Sequence, residues 1–176
     1  MDFTDHYDSP LGGITLACDG EALTGLWFDD QKHHPAVTDQ PAKAGTLPVL
    51  EETKQWLDAY FSGRDPGFAP RLGIRTTAFR KTVWEILLTI PYGMTVTYGE
   101  IAERAAKQMH LLRMSAQAVG GALSHNAIAL IIPCHRVIGA NGALTGYAGG
   151  IERKRMLLEM EKGVRDQGLV NNGEKI

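Results

Sequence analysis

The apolar run Leu130-Ile131-Ile132 ends on Pro133, and Cys134, His135, Arg136 and Val137 follow at once. Proline fixes its own φ and has no N–H to give a ladder, so the run reads as a strand that stops there. The next side chain is then delivered at a turn. That side chain is a thiol with an imidazole beside it. A thiol reacts as its anion, and an imidazole able to accept or relay the proton raises the reactive fraction. The plainer reading of Cys134 is a small buried hydrophobe at the end of an apolar segment.

Periodicity divides the rest of the chain. Residues 3–7, 14–18 and 23–28 are short β-favourable runs separated by Ser9-Pro10-Leu11-Gly12-Gly13 and Asp19-Gly20, the pattern of a small antiparallel meander. Val49, Leu50, Thr53, Trp56, Leu57 and Tyr60 recur at helical spacing before Ser62-Gly63, so a helix should cover that sheet. Residues 65–70 read as a connector, with a boundary near Ile74. Beyond it, Thr76 or Thr77 caps a helix carrying Val83, Trp84, Ile86, Leu87 and Ile90, closed by Pro91-Tyr92-Gly93. Residues 96–98 are extended or turning. A second helix starts at Gly99, and Ser115 caps a third that runs towards Ser124. Two short helices joined by a turn suggest a helix-turn-helix. Ala116, Ala118, Gly120, Gly121 and Ala122 make the second of them slim, which suits either entry into a DNA groove or tight packing in a core.

The net charge of −2 conceals a division: residues 1–76 carry −6, residues 77–163 carry +4, and the tail 164–176 is neutral. A modestly positive module can meet phosphates at a few points, as can any surface with scattered Lys and Arg. No stretch approaches the ~20 apolar residues that span a bilayer, and the acidic start is unlike a secretory signal. The cytoplasm is the expected compartment. Cys18 and Cys134 cannot build a zinc site between them, and His33-His34 has no cysteine pair nearby, so no metal is expected. A Cys18–Cys134 disulfide would disable the thiol, and a reducing cytosol disfavours it.

Downstream of the cysteine, Asn141-Gly142 marks a turn and Thr145-Gly146-Tyr147-Ala148-Gly149-Gly150 a glycine-rich loop that lets backbone approach a ligand. Together with Phe79-Arg80-Lys81-Thr82-Val83-Trp84, Tyr98-Gly99-Glu100-Ile101-Ala102, the small-residue helix and the Pro-Cys-His-Arg-Val box, this loop resembles the O6-alkylguanine-DNA alkyltransferase family. The likeness runs through ordered motifs from Thr77 to Gly163; over residues 1–73 it is architectural. It implies an α+β protein with a ribonuclease H-like N-terminal domain, 1–73, of small antiparallel sheet and helix. A mainly helical, winged helix-turn-helix-like alkyltransferase domain, 74–163, and a tail, 164–176, would follow. The implied partner is double-stranded DNA containing O6-alkylguanine. No cofactor, membrane or obligate protein partner is implied, and a monomer is expected.

By the same resemblance, Cys134 takes the alkyl group in one displacement and is consumed. His135 relays the thiol proton through water and Glu161 orients His135. Glu159 is two positions away and faces elsewhere on the helix. Asn126 braces the active-site turn, or caps the preceding helix. Tyr98 donates to the leaving guanine. Gln117, Ala118, Gly120, Gly121, Ser124 and Arg136 fall among the DNA and substrate contacts, and the backbone around Val137 and Tyr147-Ala148 would wall the base pocket. The chain departs from the family's pattern in three places. Gln117 replaces an intercalating arginine, Ala148 stands where a serine is frequent, and residues 104–114 form a longer segment that brings Lys107, His110 or Arg113 nearer the phosphates. Other readings are a non-enzymatic lesion binder, a cysteine hydrolase or a helix-turn-helix regulator. Of these, the binder and the regulator have no use for Cys134.

Overall fold

The computed structural model describes residues 3–32, 34 and 47–171, with side chains as far as Gly163. Three strands, β1 (Phe3–Ser9), β2 (Gly12–Cys18) and β3 (Leu23–Phe28), form an antiparallel sheet in the order β1-β2-β3. Alternation places Ile14, Leu16 and Cys18 of β2 opposite Phe28, Leu26 and Leu23 of β3, and all six are wholly buried. Helix α1 (Pro48–Phe61) covers the sheet with the expected stripe of Val49, Leu50, Thr53, Trp56, Leu57 and Tyr60. His33 and most of the segment between Asp29 and Pro48 lie outside the described residues.

The second half is helical, as its spacing predicts. Thr77 is the cap of α2 (Ala78–Leu87), its side chain accepting from Arg80 N. Thr97 and Glu100 form a reciprocal capping box at α3 (Tyr98–Gln108), which brings Tyr98 into the helix's first turn. Ser115 caps α4 (Ala116–Ser124) through Ala118 N at 3.1 Å. Two-residue strands β4 (Val96–Thr97) and β5 (Val137–Ile138) pair in parallel. The backbone of α5 (Ile151–Asn171) continues through Gly163, so the tail expected to begin at residue 164 starts as helix.

One expected strand is absent. Residues 129–131 form a turn, with Leu130 at φ 67° although it is only 1% exposed. A short apolar run bounded by proline does not separate strand from buried turn, because every side chain faces inward in both. The turn is registered on the sheet: Leu26 N donates to Ala127 O and Ala129 N to Leu26 O, each at 2.8 Å. The same edge of β3 takes residues 71–73, where Leu23 N donates to Arg71 O and Gly73 N to Leu23 O. The open edge is thereby covered, and the cysteine segment inherits its position from the sheet. One apolar cluster runs from Ile14 through Trp56, Trp84 and Ile101 to Leu157.

Leu57 lies wholly inside that cluster. Leu57→Ala should lower the unfolding free energy by about 2–5 kcal/mol, read from the urea midpoint at an unchanged slope. A loss below about 1 kcal/mol would mean that α1 is not seated on the sheet as described.

Candidate active site

Cys134 opens a short 3-10 turn, Cys134–Arg136, directly after Pro133. Asn126 sets its position: the amide Nδ2 donates to Ile132 O at 2.9 Å and to Cys134 Sγ at 3.2 Å, while its Oδ1 accepts from Ile128 N at 3.0 Å. The α4 C-cap is His125, so the alternative role for Asn126 falls to its neighbour. Burial pushes the Cys134 thiol above its usual pKa, opposed by the Asn126 hydrogen bond and the positive charge of Lys154.

His135 is wholly buried and its Nε2 lies 2.7 Å from Glu161 Oε1. Burial alone would raise the Glu161 carboxyl, but hydrogen bonds and charge from His135 and Arg136 outweigh it and bring the pKa to about 2. Facing an ionised carboxylate, Nε2 carries the proton and donates. Nδ1 is then the basic nitrogen, and it has no hydrogen-bond partner among the described residues. Burial also lowers the imidazole pKa against the pull of Glu161, so the ring is neutral near pH 7. Glu159 sits outside, bonded to Arg155 at 2.9 Å.

A cavity of about 780 Å³ opens over Cys134, within the roughly 300–1,000 Å³ of small-molecule sites. Tyr98 and Gly99 line it together with Thr145, Gly146, Tyr147 and Ala148. Gln117, Gly120 and Ser124 of α4 form the rim, and Lys32, from the turn after β3, also lines the cavity. The Tyr98 hydroxyl donates to Thr145 O at 3.2 Å, so a ligand that uses this donor takes it from the loop. A Cβ built on Gly149 would come within 2.7 Å of the Tyr147 ring and 3.0 Å of Phe28, so the loop packs down only with glycine there.

Helix α4 separates the two readings of its small residues. Val119, Ala122 and Leu123 face the core, whereas Gln117, Gly121 and Ser124 are exposed. A Cβ added to Gly120 or Gly121 would meet nothing within 4 Å, so internal packing does not demand either glycine. The slim face points outward, beside the cavity. Ala118 is partly buried on the same helix.

Two of the residues expected at the contacts are buried. Arg136 turns inward: Nε donates to Glu161 Oε2 at 2.9 Å, Nη2 to Oε1 at 3.1 Å and Nη1 to Ile90 O at 2.7 Å. A guanidinium beside a buried carboxylate is held by it, and its place next to the cysteine in sequence did not reveal this. Val137 is wholly buried, and its carbonyl accepts from Lys154 Nζ at 2.6 Å. Lys154 was missed. Its ammonium also donates to Thr145 O at 2.8 Å and so clamps the cavity wall. Lys154, Leu157 and Glu161 are spaced three and four residues apart on one buried face of α5, a signal legible in the sequence. Tyr60 and Gly93 N, both bonded to Glu161, were also missed; Tyr60 reads from sequence as ordinary core. No disulfide joins Cys18 and Cys134. Among the described residues no His, Cys, Asp and Glu cluster could hold a metal, and no helix is long and apolar enough to cross a membrane.

Comparison with known proteins gives a consistent result. The family description "6-O-methylguanine DNA methyltransferase, DNA binding domain" matches residues 78–163, and its "ribonuclease-like domain" counterpart matches residues 4–72. A Mycobacterium tuberculosis protein named methylated-DNA–protein-cysteine methyltransferase is 48% identical over 160 residues, covering 89% of this chain and 92% of that protein. The crystal structure of M. tuberculosis O6-methylguanine methyltransferase superposes with a TM-score of 0.78 at 47% identity, covering 93% and 94% of the two chains. A crystal structure of the M. tuberculosis protein in complex with DNA gives 0.75 at 46% identity, covering 93% of each chain.

The Glu161 pKa gives the site an acid signature. A carboxyl depressed in the folded state contributes stability that is present above its unfolded value, near 4.3, and is lost as pH falls towards about 2. Urea midpoints of the wild-type protein should therefore fall between about pH 4.5 and 2, and those of Glu161→Gln should change less over the same window. Equal pH dependence in the two proteins would show that Glu161 is not held as described.

Proposed function

The chain belongs to the 6-O-methylguanine DNA methyltransferase family, and from that premise we propose that it repairs DNA by moving an alkyl group from guanine O6 to Cys134. The observation that carries the reading is Cys134 lining a cavity beside a buried His135–Glu161 pair, with the slim outward face of α4 at the rim.

His135 Nδ1 takes the thiol proton through an intervening water, and the imidazolium formed is stabilised by Glu161. Sγ then attacks the alkyl carbon. The S–C bond forms as the C–O bond breaks, and the electron pair leaves on guanine, where the Tyr98 phenol donates to the developing negative charge. Positively charged Lys154 favours the thiolate, and Asn126 holds the sulfur in line. A thioether has no ready route back, so each molecule acts once and needs no cofactor.

The partner is double-stranded DNA carrying O6-alkylguanine, as the DNA complex of the M. tuberculosis protein suggests. The outward face of α4 enters the minor groove, where a slim helix fits and base identity is poorly read. The damaged base swings into the cavity, and Gln117 enters the stack that it leaves. The protein works as a cytoplasmic monomer, with residues 1–73 as a structural unit and 74–163 binding DNA and accepting the alkyl group.

Excess O6-methylguanine duplex should leave one adduct of about 14 Da per chain, mapped to Cys134 by mass spectrometry. Cys134→Ala should abolish transfer and keep duplex binding; several turnovers per molecule would refute the single-use mechanism. Gln117→Ala should slow repair of duplex DNA at least about tenfold while hardly changing reaction with free O6-benzylguanine, which requires no base flipping. Equal losses on the two substrates would take Gln117 out of duplex recognition.

A further inference from the structure

Among the described residues, the N-terminal third of the chain contributes one polar side chain to the buried pair. Tyr60, on the last turn of α1, is wholly buried, and its hydroxyl donates to Glu161 Oε1 at 2.7 Å while lying 3.3 Å from His135 Nε2. A phenylalanine would fill the same volume, and burying a phenol is unfavourable unless its hydroxyl is bonded. The ring is fixed on two sides. It stacks on Trp56 at 5.0 Å and meets His135 edge-on at 6.3 Å.

We infer that Tyr60 is a positioning residue of the transfer reaction, a hydroxyl donor from the N-terminal part of the chain that holds the Glu161 carboxylate against His135. The inference rests on the roles proposed above for Cys134, His135 and Glu161. Glu161 Oε2 is already fixed by Arg136 Nε and Gly93 N. Oε1 faces His135, and Tyr60 supplies its shortest bond from outside the cysteine segment and α5. With the hydroxyl donating to Oε1, the carboxylate keeps its in-line geometry to Nε2, and Nδ1 stays the basic nitrogen. The order of constraint runs from the sheet through α1 to Tyr60, then to Glu161, His135 and the thiol.

The hydroxyl also withdraws charge from Oε1. Without it the carboxylate pulls harder on the imidazole proton, so the imidazolium is favoured and the acidic limb of the pH–rate profile, where His135 loses its proton and becomes a base, moves to higher pH. The charged and titratable groups around His135 are Glu161 and Lys154 of α5, Arg136 and Cys134 of its own turn, Tyr147 of the loop and, beyond Tyr60, Tyr92. Tyr60→Phe leaves all of these in place.

The test is single-turnover transfer from an O6-methylguanine duplex. Tyr60→Phe should be slower by roughly tenfold to a hundredfold, the range for a lost hydrogen bond to a charged group, with the pH limb shifted upward and duplex affinity unchanged. In a Glu161→Gln background the same change should add nothing, because the hydroxyl acts through that carboxylate. Tyr7→Phe is the control, since it removes a hydroxyl bonded to Asp58 of the same helix; it should cost stability and leave the rate alone. A wild-type rate and profile in Tyr60→Phe, or losses that multiply with those of Glu161→Gln, would overturn the inference. A wild-type rate in Glu161→Gln would instead overturn the reading of the site beneath it. Should Tyr60→Phe fail to fold, proton NMR of the wild-type protein decides. A slowly exchanging, downfield Tyr60 hydroxyl resonance that is lost in Glu161→Gln supports the role, and its absence overturns it.

Discussion

The buried carboxylate of Glu161 is the constraint on which the rest of the site depends. It accepts five hydrogen bonds, from Tyr60, Gly93, His135 and two nitrogens of Arg136. These donors come from α1, from the turn after α2 and from the cysteine segment, and the carboxylate itself belongs to α5. A charge removed from water is tolerable only when its lone pairs are satisfied, so all of these segments must arrive together or the site cannot close. The arrangement fixes the tautomer of His135 and ties the buried pair to α1, while the sheet edge at Leu26 holds the segment before the cysteine.

A second network controls the cavity wall. Lys154 is buried and spends its protons on the carbonyls of Val137 and Thr145, so the glycine-rich loop that lines the cavity is pinned to α5. The same ammonium brings positive charge to the thiol, against the burial that disfavours the thiolate. Burial and charge thus act on Cys134 in opposite directions. The thiol is nearly buried where it lines the cavity, and its neighbour in the chain is a neutral imidazole.

The outward face of α4 belongs to different physics. Its inner residues, Val119, Ala122 and Leu123, pack on the other helices, and the Trp84 indole donates to Ala122 O at 3.0 Å to fix the approach. Beside them lie Gly120 and Gly121, two glycines that the chain's own packing does not require. An external surface is therefore the better account of that composition. The segment between α3 and α4 turns through His110 at φ 55° and leaves Leu112 fully exposed, which sets it apart from the compact helices around it.

Sequence alone determined the elements and the chemical type of the site. Period-two runs and turn residues located β1, β2 and β3; three-to-four spacing located α1 and α2; and Thr77 and Ser115 marked caps, because these signals are local and each residue carries its own backbone preference. Cys134, His135, Asn126, Tyr98 and Glu161 could be named from their motifs, and all five meet around one cavity or the buried pair beside it. Tertiary structure decided the rest. The run at Leu130-Ile131-Ile132 became buried turn and bend because inward-facing apolar side chains fit either conformation, and the sheet pairs only with the residues before it, Ala127 and Ala129 with Leu26. Arg136 turned inward and Lys154 became a clamp because a long cation follows the nearest desolvated acceptor, which lies on another element. Tyr60 is the clearest case. Its helical spacing reads as core and its ring is core, yet its hydroxyl meets a carboxylate 101 residues away, a contact that exists only once both halves have folded together.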